Sequence, residues 1–358
     1  MKTNLKQKLL NKTTLTMGGI ALLYLILSVM VYGGFASRQL LLVILPISCH
    51  IVLAVSLNLV VGVLGELSLG HAGFMSVGLF TGCLVSIATV DMLPIAIRIP
   101  LSMIIGGLAA AVVGLVVGLP ALRLKGDYLA IVTLGCGEII KNVINNIHIK
   151  KGPMAGVLDG ALGLNTKAIY SNIKQLLPFL IVLVLLVVWV VLNIQKSRHG
   201  RAIMAIRDNR IAAEATGINV TYYKLMVFIL AAFFAGMAGV LYGHGFSVIK
   251  SAEFGYNFSI ELLIIVVFGG MGKVHGSVIA AILLYTLPEI VLREFSDYRM
   301  LAYSVVLIVI MLLSESPRFK EWKDRISLKK LIKKLFNNKK TAVAVAETDA
   351  KEGGADES

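Results

Sequence analysis

Long apolar runs dominate this chain and recur along it from residue 17 onward. A helix that crosses a bilayer needs about 20 predominantly apolar residues. The runs at 17–35, 40–63, 67–90, 93–119, 128–147, 176–194 and 223–246 meet that length. The run at 67–90 is diluted by Gly, Ser and Ala, and 128–147 is the most polar of the set. A further run, 260–292, is interrupted by Gly269, Gly270, Gly272 and Gly276, and a last one covers 300–313. The pattern predicts an all-α, polytopic transmembrane bundle of about eight full spans plus a Gly-broken pair of short helices.

Composition agrees with lipid as the solvent. Hydrophobic residues make up 57% and charged residues 15%, with a mean hydropathy of +0.85, whereas a soluble domain has about a quarter of its residues charged. The net charge of +14 raises nucleic acid as a partner, but its distribution argues against that reading. Lysines gather at Lys2, Lys6, Lys8 and Lys12 and again, with arginines, over 318–340. Basic flanks of apolar spans hold the ends of a membrane protein in the cytoplasm. The expected division is a basic cytoplasmic N-terminus (1–16), a membrane domain (17–314) with a cytoplasmic loop at 195–224, a basic segment (315–340) and a disordered acidic tail (341–358). The run at 17–35 is too long for the core of a cleaved signal and reads as a retained span. Cys49, Cys83 and Cys136 lie in apolar or small-residue stretches and suggest neither a disulfide framework nor a metal site.

Basic residues also set the orientation. With both termini cytoplasmic, Arg123 and Lys125 fall inside, as does the loop carrying Lys196, Arg198, Arg201, Arg207, Arg210 and Lys224. Lys150, Lys151, Lys167 and Lys174 fall outside, against the rule. Parity then requires 260–292 to enter and leave on the outer side, as short helices at 260–268 and 277–292. Either the glycine break lines a pathway at membrane depth, where surrounding protein or water tolerates irregular backbone, or the pair is a plain hairpin reaching the cytoplasm. Lys273, in the break, is expected at the cytoplasmic surface, because a buried ammonium is costly.

Polar groups within the apolar runs mark candidate sites. Glu66, Ser68 and His71 stand at the start of the third run. Ionisable groups at membrane positions are functional candidates, although Glu66 also suits a helix N-terminus as a simple cap. In the fifth run Thr133, Gly135, Glu138, Asn142 and Asn145 gather polarity, and the last four share one helical face. That stripe either packs against protein or lines a wet path, and Lys141 stands close enough to pair with Glu138. The loop from Ser197 to Gly217 is rich in alanine, with charges spaced through it. It predicts two short helices bent around Asp208–Asn209 and stopped at Gly217, with small side chains suited to protein contact.

Four stretches carry a family resemblance: GELSLGHAGFMSVG (65–78), GDYLAIVTLGCGEIIKNVINN (126–146), SRHGRAIMAIRDNRIAAEATGIN (197–219) and VFGGMGKVHGSVIAAILL (267–284). In order and in register, over about residues 66–317, they resemble branched-chain amino-acid ABC transporter permeases of the LivM type. The resemblance implies a multi-pass permease of the bacterial cytoplasmic membrane, importing leucine, isoleucine and valine. It implies as partners a related LivH-type permease, two cytoplasmic ATPases that use ATP and Mg, and an extracytoplasmic solute-binding protein. Residues 201–217 match the loop that docks on the ATPase, with Arg201, Arg207, Asp208, Glu214, Ala215 and Gly217 as its coupling residues. Thr216 departs from the small aliphatic residue usual there. The chain has no G-x-x-x-x-G-K-[ST]: Gly272-Lys273 is followed by Val274, and Val267 stands where the first glycine belongs. No cofactor and no enzymatic activity are expected of this chain. Alternatives are the same machine carrying urea or short amides, and an ion-coupled transporter using Glu66 or Glu138 as its proton site.

Overall fold

A computed structural model describes residues 12–124, 126–150, 155–286 and 308, with side chains from residue 16. The chain divides into units 1–294 and 295–358, and the description that follows concerns the first. Its helices are α1 (Lys12–Tyr32), α2 (Arg38–Asn58), α3 (His71–Ala88), α4 (Ile95–Ala121), α5 (Asp127–Asn145), α6 (Ile173–Lys196), α7 (Arg198–Asp208), α8 (Arg210–Ala215), α9 (Val220–His244), α10 (Tyr256–Gly269) and α11 (Val274–Thr286). Helices dominate because a backbone in hydrocarbon must satisfy its own hydrogen bonds. The fold is the expected all-α membrane bundle.

Among the described residues, five helices are long and apolar enough to cross a membrane: α2 with its extension to Leu64, α3, α4, α6 and α9. The apolar part of α1, Thr16–Tyr32, and both α10 and α11 are shorter. Helix α5 has 19 residues but includes Asp127, Glu138 and Lys141. The expected span at 300–313 and both terminal segments lie outside the described residues.

The centre of the bundle is the crossing of α3, α4 and α9, where small residues bring backbones together. A Cβ on Gly78 would run into the backbone of Gly236, and one on Gly106 into the carbonyl of Gly78. Gly114 faces Ala232, and Gly118 faces Phe228 and Leu225. In lipid, helix association relies on such close packing because apolar side chains gain little by leaving hydrocarbon.

Between α5 and α6 the chain forms a small cap that the apolar pattern does not announce. Strand β1 (Leu164–Asn165) pairs antiparallel with β2 (Val248–Ile249), with Leu164 opposite Ile249. Ser171 N donates to His244 O at 2.9 Å, tying the cap to the end of α9. Lys167 is exposed on the cap, and Lys174 is exposed in the first turn of α6.

Candidate functional site

Helix α2 does not end cleanly. At Asn58 it widens into a π-helical turn, Leu59–Leu64, closed by Gly65 in the left-handed region at φ +80°. π-turns are rare and cluster at functional positions. Residues 65–70 then run without regular secondary structure. Contrary to expectation, the third span begins at His71 and not at 67, and its N-cap is Gly70 with no side-chain cap.

That late start carries the beginning of α3 into the bundle. Leu69 N donates to Thr133 Oγ1 at 3.0 Å, and Thr133 lies roughly 9 Å along α5 from its first residue. Ala72 N donates to Ser259 Oγ at 3.3 Å. These hydroxyls satisfy amides that a helix start leaves without intrahelical partners. Gly70 approaches the Thr133 carbonyl, and Gly73 approaches the Cα of Gly137. His71 is buried, its Nε2 2.8 Å from Ser56 Oγ on α2. Ser68 is buried as well.

Glu66 is not a helix cap. It forms an ion pair with Lys224 of α9, and both side chains are largely buried. Lys224 is counted in the sequence as one of the basic loop residues that set orientation. The fold instead withdraws it into the bundle, because α9 begins at Val220 and turns that face inward. A buried charge needs such a partner.

The polar residues of α5 split between packing and exposure. Glu138 pairs with Lys141 and accepts a hydrogen bond from Tyr256 N at 2.7 Å, at the start of α10. Asn145 Oδ1 accepts from Ser251 Oγ at 3.1 Å. Gly135 and Asn142 do not join them: a Cβ on Gly135 would meet nothing, and Asn142 is exposed. The glycine that lets α3 approach α5 is Gly137, one helical position round from the expected stripe.

The amphipathic loop folds as expected into two short helices. Ser197 Oγ caps α7 by accepting from Gly200 N at 3.1 Å, Asn209 Oδ1 caps α8 by accepting from Ala212 N at 3.1 Å, and Gly217 ends it at φ +84°. Ile203, Ile206 and Ala213 are buried and anchor the loop. Arg201, Asp208, Glu214, Ala215 and Gly217 are exposed, as is Ile211 at 79%. Arg210 Nε donates to Glu214 Oε1 at 2.9 Å. Arg207 is exposed too, yet reaches back to the bundle: its Nη1 donates to Gly62 O at 3.1 Å, while Nε and Nη2 hold Asp208 Oδ1. A cation belongs there, where the α2 helix ends and its carbonyls carry partial negative charge.

The Gly-broken pair meets the same turn from the other side. Its helices extend to Gly269 and restart at Val274, so the break is 270–273 and shorter than the expected 269–276. Gly269 and Gly276 are helical and press against each other's backbones. Gly270 and Gly272 supply the left-handed positions, at φ +88° and +78°. Gly272 N donates to Asn58 Oδ1 at 2.8 Å, and Asn58 Nδ2 donates to Ser277 Oγ at 2.9 Å. Gln195 Nε2, near the end of α6, reaches Gly272 O at 3.4 Å. The tip therefore sits at the bundle end that carries α7 and α8, with Lys273 exposed.

Asn58, Gly62, Gly137, Lys224, Ser259 and Ser277 are site residues that the sequence reading missed. Asn58 did carry a signal, as a lone amide in a long apolar run.

The fold is that of a multi-pass membrane protein, with an anchored loop of two short helices at one end of the bundle. The family model described as "Branched-chain amino acid transport system / permease component" matches residues 39–314, and the chain belongs to that family. It is 33% identical over 231 residues to the high-affinity branched-chain amino acid transport system permease protein LivM of Salmonella typhimurium, covering 58% of this chain and 54% of that protein. The LivM protein of Escherichia coli is 34% identical over 231 residues, with the same coverage. The ribose import permease protein RbsC of Haemophilus influenzae is 26% identical over 242 residues, covering 65% of this chain and 72% of the relative. The chain thus spans about half the length of the LivM relatives it matches. No solved structure matches it.

Proposed function

We propose that this chain is the membrane-spanning permease subunit of an ABC importer for branched-chain amino acids. The observation that carries the reading is the loop of α7 and α8. It is anchored to the bundle by Ile203, Ile206 and Arg207, and it presents Ile211, Glu214, Ala215 and Gly217 outward without an apolar partner of its own. That face suits a groove on a partner ATPase. Two such ATPases, using ATP and Mg, a second LivH-type permease and an extracytoplasmic binding protein complete the machine. The similarity to LivM supports leucine, isoleucine and valine as solutes, in preference to urea or short amides.

The remaining assignments belong to the same reading. Both termini are cytoplasmic, with about eight full spans plus the α10–α11 hairpin. Residues 1–16 and 315–340 are basic cytoplasmic segments, and 341–358 form an acidic tail. The candidate pathway runs past Glu66, Ser68, His71, Thr133, Gly135, Glu138, Asn142 and Asn145. Movement of the docked loop shifts the bundle between two states, each favoured by a different set of contacts. An ion-coupled mechanism draws less support, because a lysine neutralises each carboxylate it would use: Lys224 pairs Glu66 and Lys141 pairs Glu138.

Uptake of radiolabelled leucine into proteoliposomes tests the proposal. The chain reconstituted with a LivH-type permease, two ATPases and a binding protein is expected to import leucine only with internal ATP. Isoleucine and valine compete, and urea does not. Uptake by this chain alone, driven by a proton gradient, would overturn the reading.

A further inference from the structure

Away from the π-turn, the loop end of the bundle holds a cavity of about 150 Å³ between α4, α8 and α9. Its walls combine guanidinium groups with hydrocarbon: Arg123 and Arg210 beside Leu119, Leu122, Thr221 and Leu225. Arg123 is exposed and takes part in none of the ion pairs among the described residues. Arg210 uses its Nε on Glu214, and a guanidinium has further N–H donors on its terminal nitrogens.

Leu119, in the wall of the cavity, is also the last residue of an exposed apolar stripe on α4. Leu108, Val112, Leu115 and Leu119 recur at helical spacing on α4 and are all exposed, which puts them on one outward face. From Leu108 to Leu119 that face is roughly 16 Å long, close to the depth of one leaflet in a hydrocarbon core about 30 Å thick. Its lower end opens at the two arginines. Hydrocarbon above and two guanidinium forks below, of which Glu214 offsets only Arg210 and leaves one net positive charge, is the chemistry that suits a phospholipid with net negative charge. The forks match phosphate oxygens bidentately, and the track accepts an acyl chain.

We propose that this cavity is a binding site for an anionic phospholipid, with the phosphodiester between Arg123 and Arg210 and an acyl chain along Leu119, Leu115, Val112 and Leu108. Arg123 belongs to the end of the bundle and Arg210 to the loop. A bound headgroup therefore bridges them and ties the loop to α4. The inference does not depend on which solute is carried.

Native mass spectrometry of the detergent-purified full chain tests it, with equimolar dioleoylphosphatidylglycerol and dioleoylphosphatidylcholine as probes. The wild type is expected to retain phosphatidylglycerol with a preference of about tenfold, the factor that corresponds to one good charge-assisted contact. Arg123→Gln/Arg210→Gln, with unchanged circular dichroism, is expected to bring the preference near parity. Arg123→Lys/Arg210→Lys keeps the charge without the fork and is expected to fall between. Excess inorganic phosphate is expected to leave the lipid bound. Displacement by phosphate alone would make this a free-anion site and overturn the lipid assignment. Equal retention of both lipids by the wild type, or an unchanged preference in the Gln double variant, would overturn it as well.

Discussion

Arg207 Nη1 lies 3.1 Å from the carbonyl oxygen of Gly62, joining the amphipathic loop to the π-turn at the end of α2. The hairpin tip also packs against Gly62, since a Cβ there would strike the backbone of Gly272. One short turn of chain thus touches both the loop and the hairpin. A displacement of the loop has a direct physical route to α10 and α11 through packed backbone.

Truncating the arginine tests that route. Arg207→Ala is expected to lower stability by only about 1 kcal/mol, because a partly exposed charged hydrogen bond contributes little more. The effect on coupling is expected to be larger, with leucine uptake falling severalfold while the ATPases still turn over. Paired measurements of uptake and phosphate release in the reconstituted transporter check it. Proportional loss of both would place Arg207 in folding alone.

Glu214 offers a contrast, because it is exposed on the outward face of α8. Glu214→Lys is expected to lower the thermal midpoint of the permease only slightly, because the exposed pair with Arg210 contributes little, and to abolish ATP-driven uptake. Arg207→Glu is expected to damage both. Scanning fluorimetry of the variants in detergent, alongside uptake, separates a docking contact from an internal one. Normal uptake by Glu214→Lys would count against docking at this helix.

The buried pair of Glu66 and Lys224 predicts strong non-additivity. Lys224→Met leaves a carboxylate buried without its cation and is expected to cost about 3 kcal/mol or more. Glu66→Gln combined with Lys224→Met removes both charges and is expected to recover most of that loss. Denaturant unfolding of the single and double variants measures the coupling. Additive losses would mean that the pair contributes nothing as a pair.

Glycines divide by what surrounds them. Gly62→Ala places a methyl group into the backbone of Gly272 and is expected to prevent assembly of the hairpin against the end of α2, while Gly276→Ala meets the backbone of Gly269 and is expected to force α10 and α11 apart. Gly135→Ala meets open space and is expected to be tolerated, or to gain a few tenths of a kcal/mol from helix propensity. Expression and monodispersity in size-exclusion chromatography report the difference. Well-behaved Gly62→Ala protein would refute the close approach seen there.

How far the sequence reached can be read from individual residues. The five long apolar helices among the described residues, the bend at Asn209 and the stop at Gly217 follow from hydropathy, capping and left-handed glycine, all of which act locally. The pairing of Glu138 with Lys141 follows from helical spacing in the same way. The start of α3 did not, because the run at 67–90 is apolar enough to begin earlier, and nothing local announces that Leu69 N must reach Thr133. Asn142 and Gly135 lie on the predicted stripe but outside the packed seam, since the neighbours of α5 select Gly137 instead.

By itself the sequence determined that this is an all-α membrane protein, roughly where most of its helices run, and that two short helices lie between Ser197 and Gly217. Those properties depend on the contrast between apolar and polar residues along a few turns of chain. Only the tertiary structure decided that Lys224 is buried against Glu66, that Asn58 holds the hairpin, and that Arg207 reaches Gly62. Each joins residues far apart in the chain. Charge and hydropathy say that such groups need partners, and helix packing chooses which ones they receive.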